Sequence, residues 1–181
     1  MTEADKPDFM ASVASDMPLK CLSIRQPWAW AIVHSNKRHE NRSWGGWNNH
    51  QKRFRGPFCI HASSGMTRYE YDDAKDFMAR LGVICPAPNE LVRGAVIGTA
   101  RVVDWVTFSH NAWFVGPGAL VMDDVKALND PVPCGGALGW FDLYIKPGLQ
   151  VSPPAKWMLP REEKATMKSD GITISGQGRL L

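Results

Sequence analysis

The sequence predicts an α+β fold, a small and mostly antiparallel β-barrel with two main helices beside it. Strand-like segments with period-two patterning predominate after residue 55. Two segments with helical spacing interrupt them. The 181 residues, 44% hydrophobic and 22% charged, suit one domain with a real core plus tails. No internal repeat is visible.

Residues 1–18 are polar, lack periodicity and read as a flexible tail. Lys20 to Ile24 reads as the first strand. Pro27 suits the first position of a helix, where its missing N–H costs nothing, and that helix reaches about Ser35. The segment is apolar nearly all round, from Trp28 to Val33, unlike an amphipathic surface helix. It is therefore either wholly buried or has one tryptophan against a cleft. Trp28 and Trp30, two apart, cannot point the same way, and Trp28 is assigned to the cleft side. His39 to Trp44 alternates as a strand, with Glu40, Arg42 and Trp44 on one face.

"GGWNNHQKRFRG" reads as an exposed, mobile loop. "PFCIHASS" is a strand on which Phe58, Ile60 and Ala62 face away from Cys59, His61 and Ser63. Thr67 and Glu70 form a capping box for the second helix. Its apolar stripe is Ala74, Phe77, Met78 and Leu81, and Gly82 is its stop. "AVIGTARVVDWVTF" is a long strand bent near Gly98. "GALVMDDVKAL" and "ALGWFDLYI" are two further strands, with "NDPVPCGG" between them. The domain is thus expected over 19–146. Residues 147–181, rich in Pro, Gly and Lys, form an extension that docks in part through Trp157, Met158 and Leu159.

Net charge is only +3, but its distribution is uneven. Lys37, Arg38, Arg42, Lys52, Arg53 and Arg55 lie close together against one acid, Glu40, with Trp44, Trp47 and Phe54 among them. Such a run is either a solvated loop or a basic, aromatic surface for phosphates and bases. Arg38, Lys52, Arg53 and Arg55 are the candidates for nucleic-acid backbone contacts. Cys21, Cys59, Cys85 and Cys134 are too scattered for a zinc clip, and no secretory leader is recognisable, so a reducing, cytoplasmic compartment is expected. The five histidines form no ligand motif, and Asp104, Asp123 and Asp124 form no metal site. "GPG" and "CGG" are turn glycines, since no helix follows them to make a phosphate loop. No cofactor, no metal and no membrane span is expected.

The chemistry concentrates at Lys37, Glu40 and Arg42. An exposed ion pair contributes only about 0–1 kcal/mol, so three charges held beside tryptophans point to a ligand more than to stability. Arginine offers a planar fork for phosphate or a base edge, and lysine a point charge. A carboxylate accepts hydrogen bonds from an exocyclic amine. Glu40 is therefore assigned to reading a base, and Arg42 and Lys37 to holding it or its phosphate. Trp28, Trp44, His61, Ser63 and Trp113 complete the candidate ligand-binding set. His61 is either a hydrogen-bonded histidine in the barrel mouth or a cleft donor and base. Trp113 either packs its loop or covers the ligand.

Four stretches, "LSIRQPWAWAIVHSNKRHENRSW", "RGPFCIHAS", "GAVIGTARVVDWV" and "WFVGPGALVMDDVKAL" with "PVPCGGALGWFDL", resemble the ASCH domain (activating signal cointegrator homology) of the PUA-like superfamily. The resemblance covers roughly residues 20–145. The family signature Gly-x-Lys-x-x-Glu-x-Arg reads here as Ser35, Lys37, Glu40 and Arg42, with serine replacing the opening glycine. The resemblance implies a small β-barrel that binds RNA, single-stranded nucleic acid or a nucleobase, modified or not, in a cleft between the first helix and the barrel. Some members are similar in fold but act as small hydrolases, a ribonuclease type and an amidohydrolase type that deacylates modified cytidine. In the amidohydrolase type a threonine nucleophile stands where this chain has Glu40. The alternative is thus a hydrolase of RNA or of a modified nucleoside, with Lys37 and Glu40 as the acid–base pair. A protein-interaction domain presenting Trp47 and the C-terminal extension is the remaining reading.

Overall fold

The computed structural model describes residues 17–46 and 49–160; residues 1–16 of the expected N-terminal tail, Trp47 and the far end of the C-terminal extension lie outside them. Six strands, β1 (Lys20–Ile24), β2 (His39–Asn41), β3 (Gly56–Ala62), β4 (Ala95–Val106), β5 (Ala119–Pro133) and β6 (Trp140–Asp142), form one strongly curled sheet in the order β2-β5-β4-β3-β1-β6. Only β1 and β3 run parallel; every other pair is antiparallel. Two helices, α1 (Trp28–His34) and α2 (Arg68–Arg80), accompany the sheet, so the α+β, barrel-like expectation holds.

Period-two patterning sorts the core. Leu22, Ile24, Phe58, Ile60 and Ala62 face the concave side and pack against Ala29 and Ile32 of α1. Cys21 and Cys59 point to the opposite face, where Met17, Val96, Val132 and Cys134 cover them. Full burial of a side chain such as Ile32 or Phe58 contributes about 1.5–3 kcal/mol, so this seam anchors α1 to the sheet. Gly98 permits the approach. A Cβ there would meet the Lys126 carbonyl oxygen at 2.6 Å and a Val33 methyl at 2.9 Å.

α2 starts as expected: Thr67 Oγ1 accepts from Glu70 N at 3.2 Å, and Glu70 Oε2 accepts from Thr67 N at 2.8 Å. It ends at Gly82, whose φ of +71° suits glycine. Ala74 and Met78 are buried from its stripe, while Phe77 is half-buried and turns toward α1.

Three boundaries differ from expectation. β5 continues through Asn129, Asp130 and Pro131 rather than ending before them. Its register against β4 jumps from Gly98↔Ala127 to Val96↔Val132, so these turn-forming residues bulge out of a continuous strand. A second irregularity sits near Asp124, at φ 45°, which breaks the strict alternation of Asp123 and Asp124 and helps the strand curl. β2 stops at Asn41 instead of Trp44, because its partner β5 begins at Ala119. β6 keeps only Trp140–Asp142 of the longer segment.

After β6 the chain returns to the body. Arg93 donates from its guanidinium to the Ser64 carbonyl at 2.8 Å and to the Ser152 and Pro153 carbonyls, and Met158 is buried against Met66, Tyr71 and Leu91. Among the described residues no helix is long and apolar enough to cross a membrane.

Candidate functional site: a cleft and a neighbouring hollow

The turn after α1 aims Lys37 inward. Arg38 holds this turn, donating from Nη1 to the carbonyls of Ile32 (3.0 Å), Ser35 (3.1 Å) and Lys37 (3.3 Å) at the C-terminal end of α1. Arg38 therefore holds the helix end through one of its guanidinium nitrogens. Lys37 is 2% exposed, and its Nζ donates to Glu40 Oε2 at 2.7 Å and to the His39 carbonyl. It also lies 6.0 Å from the ring centre of Trp28. Burial pushes the Lys37 amine below its usual 10.5, and the Glu40 carboxylate opposes that shift without cancelling it.

This pair lies at a cleft of about 270 Å³, lined by Trp28, Lys37, Glu40, Asn41, Asp73, Phe77, Trp113 and Val115. Its aromatic wall is continuous: Trp28 and Phe77 meet edge-on at 5.5 Å, and Phe77 and Trp113 lie 5.8 Å apart. Asn36 Oδ1 accepts from Trp113 Nε1 at 2.9 Å. Asn41 secures the same loop, donating to the Trp113 carbonyl at 2.8 Å and accepting from Val115 N at 3.0 Å.

Glu40 also faces the other way. Its Oε1 pairs with Arg42 Nη2 at 3.2 Å, and that Nη2 donates to the Ser23 carbonyl at 2.7 Å. Arg42 lines a second, more open hollow of about 440 Å³ with Ser23, Arg25, His61, Ser63, Ser64, Gly65 and residues 136–138. His61 Nε2 lies 3.2 Å from the Cys134 carbonyl. A carbonyl only accepts, so Nε2 carries the proton and Nδ1 accepts from Ser23 Oγ at 3.0 Å. Burial lowers the His61 pKa from its usual value.

The structure thus divides the expected set. Lys37, Glu40, Trp28 and Trp113 meet in the cleft, while Arg42, His61 and Ser63 meet in the hollow. The single shared hollow expected from the sequence is two, joined at Glu40. Trp44 lines neither. It stacks on Trp105 at 5.6 Å, with the Arg42 guanidinium 5.7 Å from its ring. Lys52 donates to the Gly46 carbonyl, and Arg55 pairs with Asp104 at 2.9 Å. Both sit with exposed Arg53 in or beside a short 3-10 turn, His50–Arg53, within the expected loop. Sequence reasoning missed Asn41, Asp73, Phe77 and Val115. The available signal was the α2 stripe: Phe77 faces α1, and Asp73 stands one turn before it. Among the described residues no cluster of His, Cys, Asp or Glu is placed to hold a metal ion.

A curled sheet of this topology, with a helix closing a lysine–glutamate cleft against it, defines a PUA-like β-barrel domain. The ASCH domain family matches residues 22–115, more than half of the chain, and the chain belongs to that family. ASCH domains are generally associated with binding RNA and other nucleic acids. Comparison with curated proteins gave no significant match. The matched span contains every residue lining the cleft, whereas residues 136–138 of the hollow lie beyond it.

Proposed function

We propose that this domain binds RNA or single-stranded nucleic acid by taking one unpaired base, modified or not, into the cleft between α1 and the barrel. The observation that carries this reading is the cleft itself: about 270 Å³, aromatic on one side, with the Lys37–Glu40 pair at hand. Small-molecule sites run from roughly 300 Å³ upward, so this volume suits one flat ring rather than a longer ligand. Stacking on half-buried Trp28 and Phe77 favours any base, and Glu40 selects one that presents an exocyclic amine. Lys37 neutralises Glu40 at 2.7 Å, and Asp73 adds a negative charge at the cleft that disfavours a phosphate inside it. A base held in a duplex cannot enter, so the ligand is single-stranded or splayed. Lys52, Arg53 and Arg55 remain the candidates for backbone contacts outside the cleft.

A titration of nucleosides, single strands and duplexes, followed by tryptophan fluorescence and NMR, tests this. Single strands are expected to bind, with affinity falling steeply as salt rises. Glu40→Gln is expected to weaken binding of amine-bearing bases by about tenfold, in line with the ~1–3 kcal/mol of a good base contact. Equal affinity for duplex, or affinity indifferent to both Glu40→Gln and Trp28→Ala, would sink the proposal.

One observation supports a second reading as a hydrolase of RNA or of an acylated nucleoside. A buried amine with a lowered pKa, hydrogen-bonded to a carboxylate beside a ligand-sized cleft, has the makings of a general base. On that reading RNA or an acylated nucleoside is converted by the wild-type chain and not by Lys37→Ala. Absence of any product from the wild type removes it.

A further inference from the structure

The hollow on the far side of Glu40 has the chemistry that the cleft lacks. Among the described residues lining it there is no carboxylate; there are two guanidinium groups and three hydroxyls, those of Arg25, Arg42, Ser23, Ser63 and Ser64. Arg42 spends Nη2 on Glu40 and on the Ser23 carbonyl, and its Nε–H is buried without a hydrogen-bond partner. The part of Arg42 that an anion can reach is the exposed 21% of its side chain, which offers a charge-assisted donor to the hollow. Arg25 is half-exposed and pairs with Glu70 at 3.2 Å, a contact weak enough to be shared or exchanged.

The space is held open by backbone. Gly136 lies against His61 and Ser23 so closely that a Cβ there would meet the His61 ring at 2.5 Å and Ser23 Oγ at 2.7 Å. With no side chain at that position, the loop seats directly on the His61 ring and on Ser23 Oγ.

We infer that this hollow is a phosphate subsite, and that it takes the phosphate of the nucleotide whose base occupies the cleft. The inference rests on the base-binding reading for its ligand. Its geometry comes from Glu40, whose two oxygens touch Lys37 on the cleft side and Arg42 on the hollow side. Base and phosphate would then lie on opposite sides of one carboxylate. Asp73 at the cleft disfavours the phosphate that the two arginines of the hollow attract, so the pair of sites fixes which end of the nucleotide goes where.

The test compares a nucleoside, its 5′- and 3′-monophosphates, a dinucleoside monophosphate and inorganic phosphate, by calorimetry and NMR on the full chain. The phosphate-bearing nucleotides are expected to bind at least tenfold tighter than the nucleoside. The Trp113 indole resonance should move with every base-bearing ligand, and the His61 and Ser63 resonances only with those carrying phosphate. Arg42→Gln should erase the gain. Should that variant fold poorly, Arg25→Gln combined with Ser63→Ala should erase most of it. Monophosphates that bind no tighter than the nucleoside, with Trp113 responding and His61 silent, overturn the subsite and leave the base cleft standing. Inorganic phosphate that moves His61 while no nucleoside moves Trp113 keeps the subsite and removes the base cleft. Silence at both places overturns both. A monoester that gains where the diester does not assigns the subsite to a free nucleotide, and equal gains assign it to a strand.

Discussion

The cleft under α1 and the hollow beside the 136–138 loop share Glu40, yet they treat charge differently. In the cleft the ammonium of Lys37 is 2% exposed, and its carboxylate partner is nearly as buried. In the hollow Arg42 keeps 21% of its side chain exposed and reaches Glu40 from the wetter side. Enclosure is the difference. Removing water strengthens a charge pair and raises the cost of leaving either member alone. An open hollow stabilises little through its charges but leaves them available to a ligand.

The sharpest way to break this comparison is Glu40→Ala. It strands buried Lys37 without its carboxylate and is expected to cost about 3–5 kcal/mol, read from urea unfolding. The double variant Lys37→Met with Glu40→Gln should recover much of that loss, because no unpaired ammonium remains. A loss under 1 kcal/mol for Glu40→Ala would show that the cleft is wetter than its burial indicates.

Arg42→Ala should cost less, about 1.5–3 kcal/mol, since it removes hydrogen bonds with a charged partner at a site that water can refill. A cost equal to that of Glu40→Ala would erase the distinction between the two sides. Gly136→Val probes the hollow's shape. The added side chain collides with His61 and Ser23, but the loop is exposed and can yield, so about 1 kcal/mol is expected, at the low end for overpacking. Thermal unfolding of the variant checks this figure.

The smallest effect is a pH dependence centred on the hollow. Burial depresses His61 in the folded state below the usual 6.5, so the folded protein binds fewer protons there than the unfolded chain does. Stability should therefore be full above about pH 6.5 and fall as pH drops through 6.5 toward the lowered folded value. His39, also depressed by burial and by Lys37, contributes the same sign, so His61→Asn should flatten the slope of melting temperature between pH 7.5 and 5.5 only in part. An unchanged slope would mean that His61 titrates normally in the fold.

Much of the architecture was legible because it is local. The capping box at Thr67 and Glu70, the stop at Gly82 and the two-faced patterning of β3 each depend on neighbours a few residues away. The irregularity of β4 near Gly98 was readable too, although the reason for a glycine there was not, since Val33 and Lys126 come from distant parts of the chain. "NDPVP" misled because turn residues mark a bulge as readily as an end, and only the partner strand decides which. At the site, the reach of Glu40 and Arg42 for each other was readable from spacing. The roles of Asn41, Asp73, Phe77 and Val115 were not, because α2 and the Trp113 loop meet α1 only in three dimensions.

Sequence by itself determined which residues alternate, cap, kink and carry charge, and with them an α+β barrel with a lysine–glutamate–arginine run beside tryptophans. Only the tertiary structure decided that the carboxylate stands between two separate spaces, one more enclosed and aromatic, the other more open and lined by arginines and serines. The reason is physical: periodicity orients a side chain relative to its own strand or helix, whereas the volume it faces is set by whatever distant segment packs opposite.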